Sequence, residues 1–129
     1  MDEDPDPQVE GAEVRTRAEP GATVISISGE VDSQTIPRLG AVVSDGVARA
    51  GVQRVVLDLD GVVFFGSAGI AFLVQASSEA RAQGVELRLA AADGSRVHRV
   101  LEMMGLTRRL AVFPTSECAL RGPGLPPGG

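Results

Sequence analysis

The sequence predicts an α/β fold: a mixed β-sheet that opens on an N-terminal hairpin, with helices packed on it, in the order β-β-α-β-α-β-α-β-α. Three observations carry this. Residues 13–28 hold two runs of alternating character around a Pro-Gly turn, the pattern of a hairpin. Three short, mostly apolar runs follow, at 54–59, 85–91 and 110–113, and between them apolar residues recur at helical spacing. Strands alternating with helices imply parallel strands joined by right-handed crossovers.

Each element has its own signal. "EVRTRA" reads as the first strand, Glu13 to Ala18, and "EPGA" as the turn. In "TVISISG", Ile25 and Ile27 share one face against Ser26 and Ser28 on the other, and Gly29 is expected to end the strand. Ile36, Leu39, Val43, Val47 and Ala50 mark the first helix. Pro37 suits its first turn, where a missing N–H does no harm. Gly51 closes it, and "RVVLDL", Arg54 to Leu59, suits a central strand buried on both faces. A second helix starts near Ser67, with Ile70, Leu73, Val74, Ser77 and Ala80 expected on its buried side and Gly84 beyond its end. "VELRLAA" is the next strand and Asp93-Gly94 a turn. Ser95 then caps a third helix striped by Val97, Val100, Leu101 and Met104. "LAVF" is a last strand, and Thr115 or Ser116 caps a last helix.

A chain of 129 residues fits one domain. It can bury roughly two-thirds of the surface it exposes when unfolded, so it needs neither metal nor disulfide, and no cofactor is expected. Domain limits follow from composition: an acidic leader at 1–12, a folded body at 13–120 and a Pro/Gly tail at 121–129, both ends being poor in the apolar surface that order requires. The first ten residues hold five acids and no base. Of 17 acids in all, 12 remain for the body, against 12 bases. A neutral body without Trp or Tyr argues against nucleic-acid binding. No apolar run approaches the ~20 residues of a membrane helix, and the acidic start "MDEDPDPQVE" does not read as a signal peptide. Cys118, the single cysteine, is expected to be a small buried or half-buried residue. These features together suggest the cytoplasm.

In sheets of this kind, function gathers where strand C-termini meet helix N-termini. Asp32, Asp93 and Ser67 lie at such junctions. Ser67 interrupts the greasy stretch "VVFFGSAGIAFLV", Val62 to Val74. It is not the nucleophile of a G-x-S-x-G elbow, because Gly66 stands one place too late. The only histidine, His98, lies between Arg96 and Arg99 and reads as a solvated surface residue. No phosphate-binding G-x-x-x-x-G-K-[ST] exists, and the chain has no lysine. Asp58, Asp60, His98 and Cys118 do not make a metal-ligand set. No catalytic residue is assigned.

What remains is a hydroxyl at a helix start. It can cap the helix, for about 1 kcal/mol, and the small residues Gly66, Ala68 and Gly69 leave it open to another protein. Phe72, on the polar side of the same helix, is either covered by a neighbouring element or offered to a partner.

Three segments in this order carry a resemblance: "GEVD" (29–32), "DLDGVVFFGSAGI" (58–70) and "MGL" (104–106). Together they resemble the STAS domain, in particular bacterial anti-sigma factor antagonists, over Val14 to Leu120. The resemblance implies a STAS-like mixed sheet and a switch rather than an enzyme. Such a protein binds a cytoplasmic anti-sigma factor, often an ATP-dependent serine kinase, and so frees a sigma factor. The kinase phosphorylates a Ser or Thr at the start of the second helix, which releases the antagonist, and a phosphatase resets it. The matching position is Ser67. The implied partner surface is Glu30, Asp32 and Ser33 with Gly66, Ser67, Ala68, Gly69 and Phe72. The family pattern is commonly Asp-Ser-x-Gly, whereas this chain reads Gly66-Ser67-Ala68-Gly69. An alternative role is a STAS interaction subunit of another complex, such as a lipid ABC transporter, without a phosphorylation switch.

Overall fold

A computed structural model describes residues 11–123. Most of the expected acidic leader and Pro/Gly tail therefore lies outside the described residues. The elements are β1 (Ala12–Glu19), β2 (Ala22–Val31), α1 (Ile36–Ala48), β3 (Arg54–Phe65), α2 (Ser67–Ala82), β4 (Glu86–Ala90), α3 (Arg96–Met103), β5 (Ala111–Phe113) and α4 (Ser116–Arg121). Their order is the one the sequence predicts.

The five strands form one sheet in the order β1-β2-β3-β4-β5. β1 runs antiparallel to β2, and every other pairing is parallel. β3 is central, which explains why Val55, Val56 and Leu57 can all be apolar: consecutive residues face opposite sides, and both sides are covered. On one side Ile25, Ile27, Val55, Leu57, Leu87 and Leu89 form a core with Leu39, Val43, Leu73, Ala76, Val97 and Leu101 from α1, α2 and α3. On the other, Ala22, Val24, Val56 and Ala90 pack with Ala119 and Leu120 of α4.

The second face is narrower and held by polar groups as well. Arg88 is buried there. Its guanidinium donates to the carbonyls of Ala119 (2.8 Å) and Gly122 (2.6 Å), pairs with Glu86 (3.0 Å) and lies 5.3 Å from the centre of the Phe113 ring. Burying a guanidinium is costly unless its donors meet acceptors and its charge a partner, as they do here.

Five expectations need correction. Gly29 does not end β2, which runs on to Val31. Gly29 sits at φ +95°, which glycine alone adopts without strain, and a side chain there would collide with the Gly11 carbonyl. Val74 is exposed rather than on the buried side of α2, because α2 packs against α1 as well as the sheet and its buried arc is Gly69, Phe72, Leu73, Ala76 and Ala80. Met104 is exposed because α3 ends at Met103. Cys118 is exposed, since Ala119 and Leu120 carry the buried side of α4. His98 is half-buried rather than solvated, with Nε2 3.6 Å from Asp93 Oδ1. No helix among the described residues is long and apolar enough to cross a membrane.

Candidate partner surface at the ends of β2 and β3

β3 continues well past the predicted Leu59, to Phe65. Beyond Asp58 it leaves β4 and pairs with β2 alone. That pairing skips twice. Between Ser26 and Ser28 on β2, β3 advances from Asp58 to Gly61; between Gly29 and Glu30 it advances from Val62 to Phe64. Each skip inserts one extra residue, a bulge that bends a strand and redirects its side chains. Asp58 and Asp60 serve this bend. Asp58 Oδ1 accepts from the Asp60 amide (3.1 Å), and Asp60 Oδ1 accepts from the Ala92 amide (2.9 Å), tying the β4–α3 loop to β3. Among the described residues no group of three or more His, Cys, Asp or Glu is placed to hold a metal ion.

The extension carries β3 to the same edge as the end of β2. Glu30 lies beside Phe64 and Val31 beside Phe65, and the Gly66 amide donates to the Val31 carbonyl (3.4 Å). The β2–α1 and β3–α2 junctions are therefore neighbours, as their use in one surface requires.

The β2–α1 junction is closed by its own polar groups. Asp32 Oδ1 accepts from the amides of Gln34 and Thr35, both at 3.0 Å, an Asx turn that leads into α1. Thr35, itself buried, donates through Oγ1 to the Glu30 carbonyl (2.9 Å) and accepts from the Asp32 amide (3.0 Å). Nothing in the sequence singled out Thr35. Its signal was the spacing Asp-x-x-Thr just before an apolar helical stripe. Glu30 and Ser33 are exposed.

The β3–α2 junction is open. α2 starts from Gly66, in extended backbone, and no side chain caps it. Ser67 occupies the first helical position and is exposed; its hydroxyl has no hydrogen-bond partner among the described residues. The cap reading of Ser67 is thus replaced: the hydroxyl sits one residue too late to reach back onto the first turn. The Gly66 carbonyl accepts from the amides of Gly69 (2.9 Å) and Ile70 (3.3 Å). The amides of Ser67 and Ala68 have no partner among the described residues and point out of the helix start, as first-turn amides do.

Gly69 fixes how close α2 comes to β3. A Cβ there would lie 2.6 Å from the Phe65 ring, so only a residue without a side chain lets that ring under the first turn. Phe72 is 9% exposed. It is covered by α1, near Gly40, and floors a cavity of about 240 Å³ between the two helices, lined also by Ile36, Pro37, Gln75 and Glu79. Of the eight expected partner residues, Glu30, Ser33 and Ser67 are exposed, and Asp32, Gly66 and Ala68 half-exposed. Gly69 and Phe72 are buried and act on the surface only from beneath. Two residues the sequence did not mark are prominent there: Val63 is 61% and Phe64 49% exposed.

A family model described as "STAS domain" matches residues 13–119. The anti-sigma-F factor antagonist RsfB of Mycobacterium tuberculosis is 36% identical over 102 residues, covering 79% of this chain and 81% of that protein. The anti-sigma-F factor antagonist RsfA of the same species is 30% identical over 100 residues, covering 77% of each. A crystal structure of an anti-sigma factor antagonist from Mycobacterium paratuberculosis superposes with a TM-score of 0.74 at 27% identity, covering 84% of this chain and 91% of that one.

Proposed function

The chain belongs to the STAS domain family, and from that premise we propose that it is a cytoplasmic anti-sigma factor antagonist, a regulatory binding protein rather than an enzyme, switched by phosphorylation of Ser67. It binds an anti-sigma factor and so frees the sigma factor which that protein holds. The anti-sigma factor is an ATP-dependent serine kinase: Ser67 Oγ attacks the γ-phosphorus of ATP, the bond to the ADP oxygen breaks, and the hydroxyl proton leaves to solvent or a kinase base. A phosphatase hydrolyses the ester and restores the hydroxyl.

The observation that carries this reading is the free, exposed Ser67 hydroxyl at an uncapped helix start. A phosphate there brings about −1.5 to −2 charges. The unpartnered amides of Ser67 and Ala68 and the helix dipole receive an anion favourably, by about 0.3–1 kcal/mol, so the domain stays folded. The cost falls on the interface instead, where a buried, unpaired dianion costs several kcal/mol.

The test is a titration of this chain against ATPase-type anti-sigma factors from its own organism, with and without ATP. The expected result is tight binding that decays as Ser67 is phosphorylated. Binding that ignores ATP, or no binding, contradicts the reading. Gly66, standing where the family pattern commonly has Asp, favours one second reading: a STAS interaction subunit of another machine, such as a lipid ABC transporter, without a switch. Co-purification with a transporter ATPase would support it.

A further inference from the structure

We propose that Val63 and Phe64 are the specificity-determining residues of this surface: an apolar knob that the anti-sigma partner receives in an apolar pocket beside Ser67. The proposal rests on the reading of the chain as an anti-sigma factor antagonist.

Three features of this chain point to it. Neighbouring residues of a strand normally face opposite sides, so one of any apolar pair is buried. Here the second bulge leaves Val63 without a register partner on β2, between Val62 opposite Gly29 and Phe64 opposite Glu30. Both Val63 and Phe64 consequently face solvent, at 61% and 49% exposure, while Val62 and Phe65 on either side are buried. Bulges of this kind re-aim side chains at functional rims.

The ring of Phe64 also lies against the residue that precedes the acceptor hydroxyl. A Cβ on Gly66 would sit 3.3 Å from Phe64 Cε2 and 3.4 Å from Cζ. A side chain at position 66 would crowd the ring and require it to shift. A partner reaching Ser67 therefore meets an aromatic face where a side chain at 66 would otherwise stand.

The surroundings are uncharged. Residues 61–74 contain no acid and no base, although 22% of the chain is charged. Ser67, Ala71 and Val74 are all exposed and fall at i, i+4 and i+7, one stripe of α2. A surface with no charge to pair, an aromatic anchor and small residues around it complements an apolar pocket, since interface cores are depleted of charge and hot spots favour aromatic anchors.

The experiment compares Phe64→Ala, Val63→Ser and Gly66→Asp for binding to the ATPase-type anti-sigma factor that the wild-type chain binds. Circular dichroism checks the fold and sedimentation the oligomeric state. Phe64→Ala is expected to weaken binding by about tenfold or more, and Val63→Ser by less. Gly66→Asp should weaken it comparably, because the side chain crowds the ring and carries a charge into the pocket. All three are expected to keep the wild-type spectrum, their sites being on the surface. If all three bind within about twofold of wild type while Ser67→Glu still releases the partner, the knob is overturned and the antagonist reading stands. No binding by the wild-type chain overturns both. A wild-type dimer that Phe64→Ala makes monomeric shows that a second copy occupies the knob and overturns the proposal.

Discussion

Two helix starts lie side by side on this molecule and are built in opposite ways. α1 is entered through Asp32 and Thr35, whose side chains take up the turn amides and bridge the end of β2. α2, the longest helix among the described residues at 16, is entered through Gly66 with no side-chain cap. The short helices are better served: Ser95 accepts from the His98 amide at the start of α3, and Thr115 from the Cys118 amide at the start of α4. The open start of α2 is not for want of a polar side chain, because Ser67 stands within one residue of the cap position. Its hydroxyl is instead left free. α2 is held by packing, with Phe65 beneath Gly69 and Leu73, Ala76 and Ala80 in the core. The contrast teaches that one junction uses its polar groups to hold the fold while its neighbour leaves a hydroxyl exposed and unused by the fold.

Four changes would break or sharpen this contrast. The largest effect is expected from phosphate on Ser67: partner affinity should fall about a hundredfold, which is about 3 kcal/mol, with the circular dichroism spectrum unchanged. Titration of the modified and unmodified protein checks it. Gly69→Ala comes next, at about 1–3 kcal/mol of stability, because its methyl group must displace the Phe65 ring; urea unfolding measures this. Asp32→Ala should cost about 1 kcal/mol through loss of its two hydrogen bonds to the turn amides ahead of α1, seen as a lower thermal midpoint. Ser67→Ala should change stability by less than about 0.5 kcal/mol, since no bond inside the domain is lost. A full cap-sized loss on Ser67→Ala would erase the difference between the two junctions.

Much of the fold was readable because local signals agreed with one another. Pro37, Ser95 and Thr115 mark helix starts, and Gly84 and Gly94 mark turns at positive φ. The alternation of Ile25 and Ile27 with Ser26 and Ser28 gave β2 its faces. The sequence failed where tertiary contacts override period. Gly29 looked like a stop, but it pairs with Ala12 and the Gly11 carbonyl accepts from the Glu30 amide, so β2 continues. The bulges break the two-residue rhythm of β3, so its outer half, through Phe65, carries no strand signal in the sequence. For Phe72 the pattern of α2 alone leaves two outcomes open, cover by a neighbouring element or a partner, and α1 supplies the cover. In the candidate site Ser67 was legible as an isolated hydroxyl among small residues. Val63 and Phe64 were not, because an apolar run reads as core until the bulge that turns it outward is seen.

The measurement that tests the central claim most directly is intact mass with site mapping on the protein isolated from its own cells, with and without stress. The account predicts phosphate on Ser67, and that its occupancy changes with conditions. A Ser67 that stays unmodified in every condition, while the protein still releases its sigma factor on cue, would contradict it.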